Sequence, residues 1–244
     1  MSKIIFRYIA NPGRVMSWLR LLTPFMACLC LVTATAGLYF ALSASPKDYL
    51  QGDLVRIMYV HVPSSWWALG VYTIMAIASA FGFVLKNPFM GYITRALAPL
   101  GASFALVSLV TGAIWGKPTW GTWWVWDARL TSMLLLFLLY IGYILLVRTG
   151  VASKSYQAGG VLTMVGWINV PIIKWSVDWW YSLHQPSSIK LFAKSSVHPE
   201  MLTPLLLMSI AFASYGFIIF HWRLKQLLPK PRAEKVAVRQ ARAA

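Results

Sequence analysis

Between Arg20 and Lys47 the chain runs for 26 residues without one Asp, Glu, Lys or Arg. Five more such stretches follow: Ile57 to Leu85 (29 residues), Ala96 to Gly116 (21), Leu130 to Val147 (18), Ser155 to Ile173 (19) and Met201 to Trp222 (22). A helix crossing a bilayer needs about 20 mostly apolar residues, and backbone amides in lipid must bond within their own segment. Each stretch therefore reads as a membrane-spanning helix. The predicted fold is all-α and polytopic, with six spans in residues 1–222 and a basic tail from 223 to 244. Charged residues make up 11% of the chain, against roughly 25% in a soluble domain. The first stretch exceeds the roughly 7–15 residues of a signal-peptide apolar core, so it reads as a retained helix. The fifth is the most interrupted, by Gly159, Gly160, Gly166 and Pro171.

The basic residues are unevenly shared. The N-terminal leader, the second-to-third and fourth-to-fifth connections and the tail hold 15 of the 22 Lys and Arg; the other three connections hold 7. Lys and Arg accumulate on the cytoplasmic side of membrane proteins, so both termini are predicted inside. Five of the six acids, Asp48, Asp53, Asp127, Asp178 and Glu200, then lie outside. This partition accounts for the net charge of +16 without nucleic acid. A basic tail behind a last span meets anionic lipid headgroups instead. The inner connections are too short for a cytoplasmic domain, and no G-x-x-x-x-G-K-[ST] phosphate loop is present.

Cys28 and Cys30 lie within the first span and read as small apolar residues. There is no C-x-x-C-H, so the chain is not itself a c-type cytochrome. Of four histidines, His61, His184 and His198 are predicted outside and His221 inside. His61 stands in Y-V-H-V-P at the start of the second span, where Pro63 suits a first helical turn. A helix N-terminus disfavours imidazolium, and neutral imidazole is the metal-ligating form. His184 ends W-S-V-D-W-W-Y-S-L-H; if helical, Trp180 shares its face, and the segment reads as amphipathic, lying in the interface. The plainer alternatives are an interfacial anchor for His61 and an aromatic belt with an incidental histidine for His184. His198 precedes Pro199 and competes for a ligand role.

The third-to-fourth connection, 115–131, reads W-G-K-P-T-W-G-T-W-W-V-W-D-A-R-L-T. Trp115, Trp120, Trp123, Trp124 and Trp126 fall within 12 residues of it. Interfacial belts place Trp at helix ends, but five in one loop broken by Gly116, Pro118 and Gly121 suit a platform of rigid aromatic faces. Asp127 fits the N-cap of the fourth helix. Arg129 is positioned to pair with Asp127 or to receive a ligand carboxylate through its planar fork, as are Arg56 and Lys117. Two imidazoles, a tryptophan platform and nearby cations match haem, which is flat, apolar on its faces, anionic at its propionates and ligated axially.

The Trp block resembles the tryptophan-rich WWD signature of haem-handling proteins. With Y-V-H-V-P at 59–63 and W-S-V-D-W-W-Y-S-L-H-Q at 175–185, the chain resembles one branch, the cytochrome c maturation protein C (CcmC) family, across all six spans. The resemblance implies that the periplasmic Trp loop contacts haem b and that His61 and His184 are its axial ligands. It implies delivery to a periplasmic haem chaperone (CcmE-like), with a small single-span partner (CcmD-like) and transporter subunits like CcmA and CcmB. It also implies a bacterial inner membrane, with the mitochondrial inner membrane as alternative. No paired carboxylates or Ser/His/Asp set is evident outside, so the expected contribution is orientation and proximity rather than acid–base catalysis. The competing functions are a b-type electron carrier and a haem permease.

Overall fold

The computed structural model describes residues 11–149, 152–184 and 197–229, with backbone only for 149 and 152–155. Residues 230–244 of the expected tail, and Gln185 of the second histidine motif, lie outside the described residues. The helices are α1 (Pro12–Tyr39), α2 (Met58–Leu85), α3 (Phe89–Trp120), α4 (Ala128–Thr149), α5 (Ala152–Gly166), α6 (Asn169–Trp179) and α7 (Pro199–Leu227). They form six segments long and apolar enough to cross a membrane, α5 and α6 together making the fifth. The protein is a six-span helical membrane protein.

Local chemistry sets the ends of these helices. Asn11 caps α1, its Oδ1 accepting from the amides of Gly13 (2.9 Å) and Arg14 (3.3 Å), with Pro12 in the first turn where no N–H is needed. The far end of α1 widens into a π-turn over Phe40–Ala44. A corner follows, in which Asp48 Oδ1 accepts from the amides of Leu50 and Gln51 at 2.9 and 2.8 Å. A 3₁₀ turn, Asp53–Ile57, then feeds α2. Pro63 is therefore the sixth residue of α2, and His61 the fourth.

Two expectations are corrected. The connection 115–131 is mostly not a loop: α3 continues through Gly116 and Pro118 and stops at Gly121, whose φ of 79° suits glycine and whose N–H bonds Lys117 O at 3.0 Å. Pro118, near the helix end, has no N–H to give the Ile114 carbonyl. The irregular part is Gly121 to Asp127 alone. The segment before His184 is also not helical to its end: α6 stops at Trp179, Trp180 is extended (φ −133°, ψ 152°), and His184 stands beyond it. The fifth span breaks at Trp167–Ile168, between Gly166 and Asn169, and Pro171 falls in the first turn of α6.

The helices pack as a bundle in which α2 lies along α3 and α1 along α7, while α4 leans on α3, α5 and α6. The main core joins Val71, Tyr72 and Met75 of α2, Leu97, Leu100 and Phe104 of α3, and Leu136, Tyr140 and Tyr143 of α4. Lipid gives helices no hydrophobic reason to associate, so close packing and interhelical hydrogen bonds carry the contact. Tyr140 Oη donates to Ala68 O at 2.7 Å, Tyr143 Oη to Thr94 Oγ1 at 2.7 Å, and Trp67 Nε1 to Ser209 O at 2.9 Å. His221 joins α7 to α1 through Thr23: Thr23 Oγ1 donates to Leu19 O (2.6 Å) and faces His221 Nδ1 at 2.6 Å. Large apolar side chains such as Phe25, Leu31 and Val84 point outward, as a lipid-facing surface requires.

Gly101 is a point of close approach, because a Cβ there would lie 2.2 Å from the Tyr140 ring. Overpacking of this kind costs roughly 1–3 kcal/mol. Gly101→Ala is expected to lower the thermal unfolding midpoint in detergent. Gly142→Ala, whose Cβ meets only Leu162 at 3.8 Å, leaves it unchanged.

Candidate functional site

One end of the bundle carries Lys47, Arg56, Lys117, Arg129 and Lys174 together with every described acid; the other carries Arg14, Arg20, Lys86, Arg95, Arg148, Arg223 and Lys225. At the first end a cavity of about 510 Å³ opens between α2, α3, α4, α6 and the segment that carries His184. Small-molecule sites are commonly about 300–1,000 Å³. His61 and His184 both line this cavity, as do Trp115, Trp120, Trp124 and Arg129.

The two imidazoles are held in the same way. His61 Nδ1 lies 3.1 Å from Thr111 Oγ1. That hydroxyl already donates to Val107 O at 2.6 Å, so it accepts from His61, and the proton sits on Nδ1. His184 Nδ1 lies 3.0 Å from Asp127 Oδ2. Ser182 Oγ also donates to that oxygen, and an ionised carboxylate only accepts, so His184 too is protonated on Nδ1. Each ring therefore keeps its Nε2 lone pair. A metal-binding histidine has this arrangement when its other nitrogen donates to an oxygen.

Asp127 performs two tasks with two oxygens. Its Oδ1 accepts from the Leu130 amide at 2.8 Å, capping α4 as expected, and its Oδ2 holds His184 and Ser182. Its side chain is 5% exposed and that of His184 18%. Burial pushes the His184 imidazole below its usual 6.5, while the Asp127 carboxylate draws it up. Burial acts to raise the Asp127 carboxyl, but bonds from Ser182, the Leu130 amide and His184 hold it below its usual 3.8. No hydrogen bond joins Arg129 to Asp127. Arg129 instead bonds Ser176 Oγ (3.3 Å) and Lys174 O (3.4 Å), which fastens α4 to α6.

The tryptophans divide into two groups. Trp120 sits edge-on to His184 with ring centres 4.8 Å apart, and Trp115 edge-on to His61 at 5.8 Å. The Trp115 N–H is taken by Gln51 Oε1 at 2.8 Å. Trp124 is more informative, since its Nε1 is buried without a hydrogen-bond partner among the described residues; an orphan donor of this kind in a cavity wall suits a ligand acceptor. Trp123 and Trp126 are exposed, at 57% and 76%, and lie outside the cavity lining. Arg56 is outside it too: its guanidinium bonds Ala41 O, Ser45 O and Asp53 and closes the α1–α2 corner. Lys117 donates to Gly121 O at 3.0 Å. His198 caps α7, its Nδ1 accepting from the Glu200 amide at 3.4 Å.

The model of the family described as heme exporter protein C matches residues 5–239. The heme exporter protein C of Bradyrhizobium diazoefficiens is 44% identical over 214 residues, 87% of this chain and 81% of that protein. That of Haemophilus influenzae is 44% identical over 218 residues, 88% and 87% of the two chains. The chain belongs to the heme exporter protein C family. A cytochrome c biosynthesis ccmC-like mitochondrial protein of Marchantia polymorpha is 41% identical over 199 residues, 82% of this chain and 85% of that one.

In this family member several site residues carried no sequence signal. Gln51, Thr111 and Ser182 are short-range partners whose role appears only when distant segments meet. Gly112 is another: a Cβ there would come within 3.0 Å of His61 Cε1, so its bare backbone makes room for the ring.

The shifts at His184 and Asp127 have one sign. Both groups bind protons more weakly in the fold than in the unfolded chain, so acid favours unfolding. The His184 contribution is lost as pH falls below about 6.5 and the Asp127 contribution below about 3.8. The thermal midpoint is therefore expected to drop from about pH 7 to about pH 5, with a shallower drop in His184→Gln. An equal slope in the variant removes His184 from that balance.

Proposed function

We propose that this protein binds haem b in the cavity, with His61 and His184 as axial ligands, and presents it for covalent attachment to a periplasmic chaperone during cytochrome c maturation. The observation that carries the reading is the pair of imidazoles, from α2 and from the segment after α6, lining one cavity with both Nδ1 atoms tied to oxygen. Among the described residues, no three His, Cys, Asp or Glu gather as a metal site. A metal held by two imidazoles takes its remaining ligands from elsewhere, as iron does from a porphyrin. The relatives' names, heme exporter and cytochrome c biosynthesis protein, support the same ligand.

The chain's own contribution is orientation. His61 is fixed on a helix by Thr111, and His184 is aimed by Asp127. Trp115, Trp120 and Trp124 wall the cavity with indole surface, and the free Trp124 N–H suits a polar edge of the ligand. Arg129 and Lys174, on its rim, suit propionates. Trp123 and Trp126 present outward, on a surface that a chaperone (CcmE-like) would meet when it approaches the bound haem. The distribution of Lys and Arg supports an orientation with the more basic end of the bundle and both termini on the cytoplasmic side of a bacterial inner membrane, and the cavity on the periplasmic side. A single-span CcmD-like partner and CcmA- and CcmB-like transporter subunits complete the assembly.

The test is the absorption spectrum of the purified protein. His61→Ala and His184→Ala are each expected to lose bound haem and to recover it with added imidazole; haem unchanged in amount and spectrum would falsify the assignment. Asp127→Asn is expected to lower haem retention by roughly 10–100-fold, the usual cost of losing a partner behind a metal ligand, with a shifted Soret band. Trp120→Ala combined with Trp124→Ala is expected to reduce both bound haem and chaperone loading. Intact loading in that variant removes the platform from the mechanism.

A further inference from the structure

At the opposite end of the bundle from His61 and His184, α3, α4 and α7 line a second cavity of about 440 Å³. Arg95, Arg148 and Arg223 line it, one from each helix. The Arg223 Nε is shielded from solvent and has no hydrogen-bond partner among the described residues. Burying an unpaired guanidinium donor is costly, so a native site of this kind implies an acceptor. Arg95 is oriented by Tyr156, which accepts from its Nη1 at 3.1 Å. The Tyr143 hydroxyl in the same wall is already committed to Thr94.

No described carboxylate answers these cations: Asp48, Asp53, Asp127, Asp178 and Glu200 all belong to the other end. The described residues therefore supply no acceptor, and an anion bound from outside them completes the site. Its depth argues for lipid. Arg95 stands six residues inside the start of α3 and Arg223 four inside the end of α7, or roughly 6–9 Å from the helix ends at 1.5 Å per residue. Apart from Tyr143, the rest of the wall, Pro99, Ile144, Val147 and Leu227 among it, is apolar. A phosphate on a diacyl chain meets both parts, and guanidinium forks match its oxygens. Basic pockets between spanning helices bind anionic headgroups in this way.

We propose that this cavity is a binding site for the phosphate of an anionic phospholipid, held by Arg95, Arg148 and Arg223, with its acyl chains along the apolar wall. The test is native mass spectrometry of the full chain in mild detergent, with added phosphatidylglycerol or phosphatidylcholine of the same acyl chains. The expected result is one retained phosphatidylglycerol in the wild type and in Arg20→Gln, an exposed basic residue outside the cavity. Retention is expected to fall roughly tenfold or more in Arg95→Gln and Arg223→Gln, the scale of one lost charge-assisted contact. Arg223→Lys keeps the charge without the fork and is expected to be intermediate; it serves if a Gln variant does not fold. Equal retention across all variants, or phosphatidylcholine held as tightly, overturns the proposal. So does displacement of the lipid by glycerol 3-phosphate at equal concentration, which makes the site one for soluble phosphate. An arginine-dependent haem adduct in place of the lipid overturns it as well.

Discussion

Everything in this fold answers to the absence of water around its middle. A backbone or hydroxyl group facing hydrocarbon has nothing to bond except the chain itself. The helices supply that for the backbone, and the hydroxyls follow suit: Thr33, Ser64, Thr73, Thr111 and Thr163 each donate to the carbonyl four residues earlier. Once a hydroxyl has given its proton away it can only accept. That is how the membrane constraint reaches the site, because Thr111 in this state fixes the tautomer of His61. The requirement that makes the spans helical also sets which nitrogen of a ligand candidate is free.

The second imidazole is controlled by another route. His184 lies outside any helix, at a bend five residues past the end of α6, and owes its placement to Asp127 and Ser182 rather than to helix geometry. Asp127 is itself fixed by capping α4. The start of one span and the aim of one side chain thus depend on a single carboxylate, and a change there disturbs helix, loop and ligand together.

The spans were legible in the sequence because charge is so costly in lipid that its absence alone outlines them. Asp127 as a cap was legible from its place ahead of an apolar run, and the local patterns around His61 and His184 drew attention to both. The rest depended on tertiary contacts. That α3 runs through Gly116 and Pro118 follows from Gly121 ending the helix, whereas glycine and proline earlier in the string suggest a loop. The Asp127–His184 bond joins residues 57 apart in sequence, across a break at Trp167 that periodicity does not reveal. The three arginines of the second cavity come from three helices and look, in sequence, like ordinary positive-inside residues.

Helix α3 has 32 residues, or about 48 Å at 1.5 Å per residue, far more than the roughly 30 Å of hydrocarbon it must cross. Between Arg95 and Trp115 lie 19 of them, about 28 Å, which is close to that thickness. The same rod therefore works as a gauge. It sets the guanidinium of one cavity and the indole of the other a bilayer's width apart, each just beyond the oily layer. Because one helix lines both cavities, a tilt of α3 moves a wall of each at once.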